Sequence, residues 1–478
     1  MIKVVKSSGL LVLQRLAQRS LGIVSTIVLA RILTPEDFGI VAIAMLVMWF
    51  SEAISKSGAE AYVIQKADLT TEDVNSAWTL DILLKSLSFI ILLAAAPITA
   101  WLKDDSSLIL VVIVTGTVII FDSLNNPGML ILKREQNYGR IVKFSVFAKV
   151  FAISISIPIA IIFKNHWALI SGLLASSIFM FIASFYISSF RPKLSLQNVG
   201  EQWQFSKWII PRSSLGYFRN HVDSLIVGSS FSTGQLGAYN NMKYFASIPS
   251  LQFISPILAP LHAEYGKVQN LKTELRFQSD ITIKIIAVLV APIASVAFIG
   301  AESIISIVLG SQWLQFSYLF AYFGLLVVPF AIMNQSIKLL MVDRRTKNIF
   351  FYELLASAAT FIVLLVFSNW SLLAFVVARC ATELVLCIGL YIYAYGAVLG
   401  SSGLKNIILT LLNVGGSIVV LGFLADLYLG EIGPVTRIFG LLFFGSLNVV
   451  LSAFCFYFFL MTDREKKLFI KTVKQMRK

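Results

Sequence analysis

Residues 30–39 read ARILTPEDFG and residues 228–237 read GSSFSTGQLG, 198 positions later, and each stretch lies between two long apolar segments. In both copies a hydroxyl residue is followed three positions on by Asp or Gln and then, two positions further, by Gly (Thr34, Asp37 and Gly39 in the first). This is a capping-box pattern, in which a hydroxyl and the third helical side chain satisfy free N–H groups at a helix start. The recurrence predicts one helix junction used twice.

The composition around these junctions is that of a membrane protein. The chain is 57% hydrophobic and only 13% charged, whereas ordinary soluble domains carry about 25% charge. Apolar runs long enough to cross ~30 Å of hydrocarbon recur along the sequence, and lipid-exposed strands are excluded because their backbone groups would lack partners. We therefore expect an all-α polytopic protein with about 14 transmembrane helices, at approximately 10–32, 38–56, 78–102, 107–127, 142–163, 167–190, 206–230, 236–261, 281–300, 315–337, 348–368, 370–394, 405–426 and 436–460.

Basic residues predict the orientation of these helices. With both termini placed in the cytoplasm, and with residues at the ends of the spans counted with the adjoining loop, the cytoplasmic segments hold 27 Lys or Arg and the outer loops hold four. The net charge of +14 is therefore mostly this positive-inside bias. Because the basic residues are dispersed over many short loops, nucleic acid is not expected as a partner.

The repeated junction also predicts the domain organisation. We expect an N-lobe of six helices at 1–190, a cytoplasmic linker at 191–205 and a C-lobe of six helices at 206–395. Since each lobe has an even number of spans, the two would be related by a parallel pseudo-repeat. Helices thirteen and fourteen at 396–461 and a basic cytoplasmic tail at 462–478 lie outside the repeat.

Charged residues inside the predicted spans are the candidates for function, because each costs on the order of 2.5–3.5 kcal/mol at the bilayer centre. Three acid–base pairs at spacing i, i+4 allow a simpler interpretation, mutual neutralisation on one helix face: Asp81 with Lys85, Arg219 with Asp223, and Arg379 with Glu383. The cations are Arg15, Arg19, Lys85, Lys149, Arg212, Arg219, Lys243 and Arg379, and the acids are Glu52, Asp81, Asp122, Asp223 and Glu383.

The surplus of three cations predicts an anion site in a central cavity, with phosphate or diphosphate as the ligand. The sequence contains no nucleophile elbow, phosphate-cradling glycine loop, paired catalytic carboxylates or metal-ligand spacing. We therefore expect a protein that is not an enzyme and has no metal or cofactor.

Three stretches resemble the polysaccharide transporter family, of the multidrug/oligosaccharidyl-lipid/polysaccharide exporter superfamily: VLARILTPEDFGIVAIA at 28–44, AYVIQKADLT at 61–70 and VDSLIVGSSFSTGQLGAYNNMKYFASIP at 222–249. The resemblance implies two six-helix lobes around a cavity and alternating access by rocking. It also implies a flippase that moves an undecaprenyl-diphosphate-linked oligosaccharide across the bacterial cytoplasmic (inner) membrane, for export of O-antigen, capsule or exopolysaccharide.

On this hypothesis the substrate-binding residues are Arg15, Arg19, Arg212, Arg219, Lys243 and Arg379, and the ion-coupling residues are Glu52, Asp223 and Glu383. Family members are thought to use ion gradients, so coupling to H⁺ or Na⁺ is expected. The expected partners are the lipid-linked oligosaccharide, membrane lipid, and a polysaccharide polymerase and glycosyltransferases, with the chain itself a monomer. The repeated junctions themselves are interpreted as hinges of the outer gate.

Two other functions stay open at this stage. A multidrug or small-molecule antiporter of the same superfamily would have an acidic or aromatic cavity. A membrane glycan polymerase or ligase would carry a substantial outer loop with catalytic charges, which the sequence lacks.

Overall fold

The computed structural model describes residues 2–401, 403–429 and 433–455, with side chains except those of residues 2–13, 15, 261, 263 and 455. The regular secondary structure in these ranges consists of helices with no strand, so the all-α prediction is confirmed. The helices are α1 (Ile2–Ile32), α2 (Pro35–Ile54), α3 (Ala59–Gln65), α4 (Thr71–Lys103), α5 (Ser107–Ser123), α6 (Gly128–Arg134), α7 (Gly139–Phe163), α8 (Trp167–Ile187), α9 (Val199–Ser230), α10 (Thr233–Pro249), α11 (Ser255–Lys267), α12 (Lys272–Ile299), α13 (Ala301–Val308), α14 (Ser317–Leu325), α15 (Val327–Val342), α16 (Thr346–Phe367), α17 (Leu372–Leu399), α18 (Leu404–Leu429) and α19 (Pro434–Cys455).

Eleven helical segments among the described residues are long and apolar enough to cross a membrane, and α5 with α6 makes a twelfth if that bent pair is one span. The long helices α1 and α9 are not among them, although their 31 and 32 residues would reach well beyond ~30 Å. They correspond to the first and seventh predicted helices. The count of fourteen and the orientation stay predictions, and the predicted tail at 462–478 lies outside the described residues.

The chain divides into two compact units, Met1–Ala238 and Tyr239–Lys478. In the first unit α2, α4, α5 and α8 enclose an apolar core that includes Met48, Leu92, Val112 and Ile170. Helix α9 packs along α2 and α4 and therefore belongs to this first unit, beyond the predicted linker at 191–205. The predicted lobe boundaries themselves stay a prediction.

The second unit has its core between α12, α15, α17 and α18, with fully buried side chains such as Ile286, Leu339 and Tyr391. A π-helical turn, Ser250–Ile254, separates α10 from α11 and follows directly on Pro249. The eighth predicted span contains Pro249, Pro256 and Pro260, and the interruption of regular α-helix falls among these prolines.

Both repeated junctions form the capping boxes that the sequence predicts. The Asp37 amide donates to Thr34 Oγ1 at 3.2 Å and the Thr34 amide donates to Asp37 Oδ2 at 2.9 Å. In the second copy the Gln235 amide donates to Ser232 Oγ at 3.3 Å, and the Ser232 amide donates to Gln235 Oε1 at 3.0 Å. The side chains thus start α2 and α10 in the same way.

The glycine that the two junctions share has a second role, because the junctions pack directly against each other within the first unit. A Cβ added at Gly39 would lie 1.8 Å from the carbonyl oxygen of Thr233, and one at Gly237 would lie 2.0 Å from the carbonyl oxygen of Pro35. Only a residue without a side chain permits this close approach of two backbones. The junctions are therefore interlocked, each glycine facing the start of the other copy's helix.

Candidate functional site

Helix α9 presents two chemically different faces in the first unit. On one, the Tyr217 hydroxyl donates to the carbonyl oxygen of Leu46 at 2.8 Å, and the His221 ring lies 4.8 Å from the Trp49 ring, centroid to centroid. On the other, the side chains of Arg212 and Arg219 are exposed. Positions seven apart lie two turns away on the same helix face, so these two guanidinium groups form one basic stripe.

Helix α1 carries the other predicted cations of the first unit. The Gln18 side chain donates to the carbonyl oxygen of Ser145 at 3.1 Å and joins α1 to α7. The next residue, Arg19, is half-buried, whereas the side chain of Arg15 lies outside the described ones. Polar helices at membrane depth must face protein or a watery cavity, so α1 and α9 are the natural lining of a polar path.

The acids predicted to couple ions in this unit differ in environment. Glu52 is exposed on α2, whereas Asp223 is 2% exposed on α9 and accepts a hydrogen bond from the Ser224 amide at 2.8 Å. A carboxylate enclosed in this way changes its surroundings when it binds a proton or metal cation, while an exposed one stays hydrated. The geometry therefore favours Asp223 over Glu52 for ion coupling.

The remaining predicted residues lie in the second unit. Lys243 Nζ lies 5.9 Å from the centre of the Tyr239 ring, at the limit of a cation–π contact. On α17, Arg379 donates to the Glu383 carboxylate and forms an ion pair with it. The i, i+4 neutralisation considered from the sequence is confirmed for this pair, so its predicted roles in binding and coupling would require the pair to open.

Sequence reasoning missed a polar cluster that holds the start of α9 in the first unit. Lys66 Nζ lies 2.8 Å from Asp73 Oδ1 and 2.7 Å from Glu201 Oε2, and the Asn198 amide group donates to Asp73 at 2.6 Å. The pKa of the Lys66 ammonium is raised above its ordinary value because it donates hydrogen bonds to these two carboxylates. The Asp73 carboxylate has the larger effect and the Glu201 carboxylate the smaller. The signal in the sequence was a third capping box, since Asp73 also caps α4 through Thr70.

The other end of α9 is also fixed by a residue that the sequence analysis left unused. Lys103 Nζ donates to the carbonyl oxygen of Phe231, the residue after α9, at 2.9 Å. A cation at a helix C-terminus satisfies a free carbonyl and opposes the helix dipole. Helix α9 is thus attached to the first unit at both ends and in the middle.

Among the described residues, no group of three or more His, Cys, Asp or Glu side chains is arranged to hold a metal ion. The side chains of α1 and α9 can bind ions: the guanidinium groups suit an anion, and the enclosed carboxylate suits a small cation.

The many apolar helices define this protein as a multi-pass α-helical membrane protein, in which the more polar helices α1 and α9 carry guanidinium groups. Residues 28–318 match the polysaccharide biosynthesis protein family, and the chain belongs to that family.

Three relatives of this chain are described as a membrane protein of a cps region or as polysaccharide biosynthesis proteins. An uncharacterized membrane protein in the cps region of Klebsiella pneumoniae is 23% identical over 320 residues, 66% of each chain. The succinoglycan biosynthesis transport protein ExoT of Rhizobium meliloti is 23% identical over 342 residues, 69% of this chain and 67% of its own. The lipopolysaccharide biosynthesis protein WzxC of Escherichia coli is 20% identical over 318 residues, 61% and 60%. The chain spans slightly less than two thirds of the length of the Klebsiella protein, about two thirds of ExoT and 60% of WzxC.

Two solved structures share the fold. The lipid II flippase MurJ, in an inward closed conformation, superposes with a TM-score of 0.73 at 15% identity, over 93% of this chain and 99% of MurJ. An inward-facing multidrug resistance MATE family transporter superposes with a TM-score of 0.56 at 13% identity, over 80% and 94%. At these identities the likeness shows the architecture and not the substrate.

Proposed function

We propose that this protein flips a polyprenyl-diphosphate-linked oligosaccharide repeat unit across the bacterial cytoplasmic membrane, for export of O-antigen, capsule or exopolysaccharide. The observation that carries the proposal is the exposed basic stripe of Arg212 and Arg219 on α9, a polar helix in an otherwise apolar protein. The family match and the relatives named for succinoglycan and lipopolysaccharide biosynthesis support the glycan part of the substrate.

A diphosphate is the part of such a substrate that hydrocarbon rejects most strongly, because its charges lose their hydration. Guanidinium groups replace that hydration with paired, charge-assisted hydrogen bonds. Arg19, Arg219 and Lys243 would contact the diphosphate or an acidic sugar, with Arg379 completing the set once its ion pair opens. Arg15 and Arg212 would extend the basic surface towards the cytoplasmic entrance.

Transport would follow alternating access, driven by an H⁺ or Na⁺ gradient rather than by a chemical reaction. Asp223, enclosed and next to the basic stripe, is the first candidate for the coupling group, with Glu52 and Glu383 as the others. Glycosyltransferases would supply the substrate and a polymerase would receive the product, and the flippase would act as a monomer.

Export measured in spheroplasts of the native host tests the basic stripe. The double variant Arg19→Ala, Arg219→Ala should lower appearance of repeat units at the outer surface by at least about tenfold, as expected when charge-assisted contacts to a phosphate are lost. The matched control is Arg140→Ala, which removes an exposed guanidinium from the first turn of α7 and should leave export unchanged.

Undiminished export by the double variant at equal protein level would contradict the proposed anion site. Unchanged export after gene deletion, together with increased drug susceptibility, would instead favour a multidrug antiporter.

A further inference from the structure

A cavity of about 270 Å³ lies in the first unit, apart from the basic stripe of α9. It is enclosed by α3, α4, the end of α5 and the start of α6, at the point where the axis turns by 63° between α5 and α6. The flanking loops are those that the positive-inside bias places in the cytoplasm. None of the predicted substrate-binding or ion-coupling residues lines this cavity.

The charges that line the cavity do not balance. Lys85 Nζ lies 2.9 Å from Asp81 Oδ2, and Lys133 Nζ lies 2.6 Å from Glu60 Oε2, so each ammonium has its own carboxylate. Asp122 is the third carboxylate in the wall, and among the described residues it forms no ion pair. The lining therefore carries one net negative charge.

The same wall holds acceptors that still lack a donor or cation. The Ser177 hydroxyl donates to Asp122 Oδ1 at 2.6 Å, which leaves the second carboxylate oxygen available. Asn125 Oδ1 is enclosed and has no hydrogen-bond partner, although enclosed amide oxygens ordinarily have one. Asp122 lies in the last turn of α5 and Asn125 in the loop two residues after its end, and both line the cavity.

The end of α5 adds to the negative potential. This 17-residue helix ends at Ser123, which also lines the cavity, and the Ser123 carbonyl accepts from the Trp78 indole at 3.1 Å. The last carbonyls of a helix carry the negative end of its dipole and stabilise cations placed there. The charge balance, the unpaired amide oxygen and the helix dipole all favour the same kind of ligand.

We infer that this cavity binds a small monovalent cation, Na⁺ in the first place, at Asp122 and Asn125 and with part of its hydration shell retained. A volume of about 270 Å³ holds several water molecules at roughly 30 Å³ each, which is more than a bare ion needs. A divalent ion is disfavoured because tight sites for Ca²⁺ usually combine several carboxylates, and here two of the three are held by lysines. The site is separate from Glu52, Asp223 and Glu383.

Binding of ²²Na⁺ to the purified full-length protein in detergent tests this site without requiring transport. The wild type should bind ²²Na⁺ saturably, and unlabelled Na⁺ but not N-methyl-D-glucamine should displace it. Asp122→Asn should weaken binding by at least about tenfold, since it removes the one uncompensated charge. The control Glu135→Gln, which removes an exposed carboxylate just after α6 and outside the cavity, should bind as the wild type does.

A variant with the opposite effect separates ion binding from misfolding. Asn125→Asp adds a carboxylate beside the ion and should tighten binding by about tenfold, a gain that a poorly folded protein would not show. Equal ²²Na⁺ affinity in the wild type and Asp122→Asn, or equal displacement by N-methyl-D-glucamine, would overturn the inference. This experiment measures binding and not transport. The flippase proposal can therefore fail while the cation site is confirmed, and the cation site can fail while the flippase proposal is confirmed.

Discussion

The interlocked glycines give the sharpest test of the structure. A methyl group at Gly39 would lie 1.8 Å from the Thr233 carbonyl oxygen, and one at Gly237 would lie 2.0 Å from that of Pro35. Ordinary contact needs about 3.5 Å, so either alanine must separate two backbones by about 1.5 Å. Overpacking of this kind typically costs about 1–3 kcal/mol. We expect Gly39→Ala and Gly237→Ala each to lower the free energy of unfolding by that amount.

Thermal unfolding in detergent, followed by circular dichroism, measures this effect, with Gly234→Ala as the matched control. Gly234 lies in the same junction, but an added Cβ would be 3.8 Å from the nearest backbone atom, so the melting temperature should not change. The double variant Gly39→Ala, Gly237→Ala should lose less than the sum of the single losses, because the first alanine already separates the surfaces.

Labelling at the junction adds a local readout. Thr233→Cys should react faster with a membrane-impermeant maleimide when Gly39→Ala is also present, since Thr233 is half-buried and a separated junction admits the reagent. The reasoning is refuted if Gly39→Ala and Gly237→Ala melt as Gly234→Ala does, or if their effects add fully.

Three further predictions concern the attachment of α9 and its neighbours, each read by the same unfolding assay. Asp73→Asn should cost about 1–3 kcal/mol because it removes the buried cap of α4 and one of the two carboxylates that hold the Lys66 ammonium, whereas the exposed Asp68→Asn should be neutral. This loss should be constant from pH 6 to about 9, because the raised pKa of Lys66 keeps its ammonium charged over that range. Lys103→Met should cost about 0.5–1.5 kcal/mol because it removes the cap of α9. The control Lys164→Met replaces another lysine that is predicted to lie in an outer loop and should leave the free energy of unfolding unchanged. Tyr217→Phe should cost about 1 kcal/mol, and an unchanged melting temperature would contradict its hydrogen bond to α2.

Local patterns in the sequence were sufficient for the helices and for several contacts. The capping boxes at Thr34 and Ser232 and the ion pair of Arg379 with Glu383 join residues three or four positions apart, where helix geometry alone brings them together. The all-α class followed from composition in the same way. These features are predictable because no distant part of the chain takes part in them.

Contacts between distant segments could not be predicted. Glycine at the shared position of the two junctions was visible, but its reason, a backbone approach between residues some 200 positions apart, exists only in the folded chain. Likewise, the sequence could not indicate that Lys66 meets Glu201 or that Lys103 meets Phe231. The packing of α9 along α2 and α4 is likewise a contact between distant segments, which no local pattern indicates.

The cavity at Asp122 illustrates the same limit for a functional site. In the sequence, Asp81 has a lysine four positions on, whereas Asp122 is one of five acids inside the spans with no indication of what surrounds it. What distinguishes it is that Lys85 pairs with Asp81 while the hydroxyl of Ser177, 55 positions away, is what approaches Asp122. The balance of charge around a carboxylate depends on such tertiary contacts.

The central claim is that this protein moves a lipid-linked oligosaccharide between the two leaflets of a membrane. The direct measurement uses the purified protein in liposomes that contain fluorescently labelled polyprenyl-diphosphate oligosaccharide from the native host, with dithionite added outside to quench accessible label. The account predicts that liposomes with protein lose the fluorescence of the inner leaflet as well as that of the outer, and that the Arg19→Ala, Arg219→Ala variant loses only the outer. Quenching that stops at the outer leaflet in the presence of the wild-type protein, as in protein-free liposomes, would contradict it.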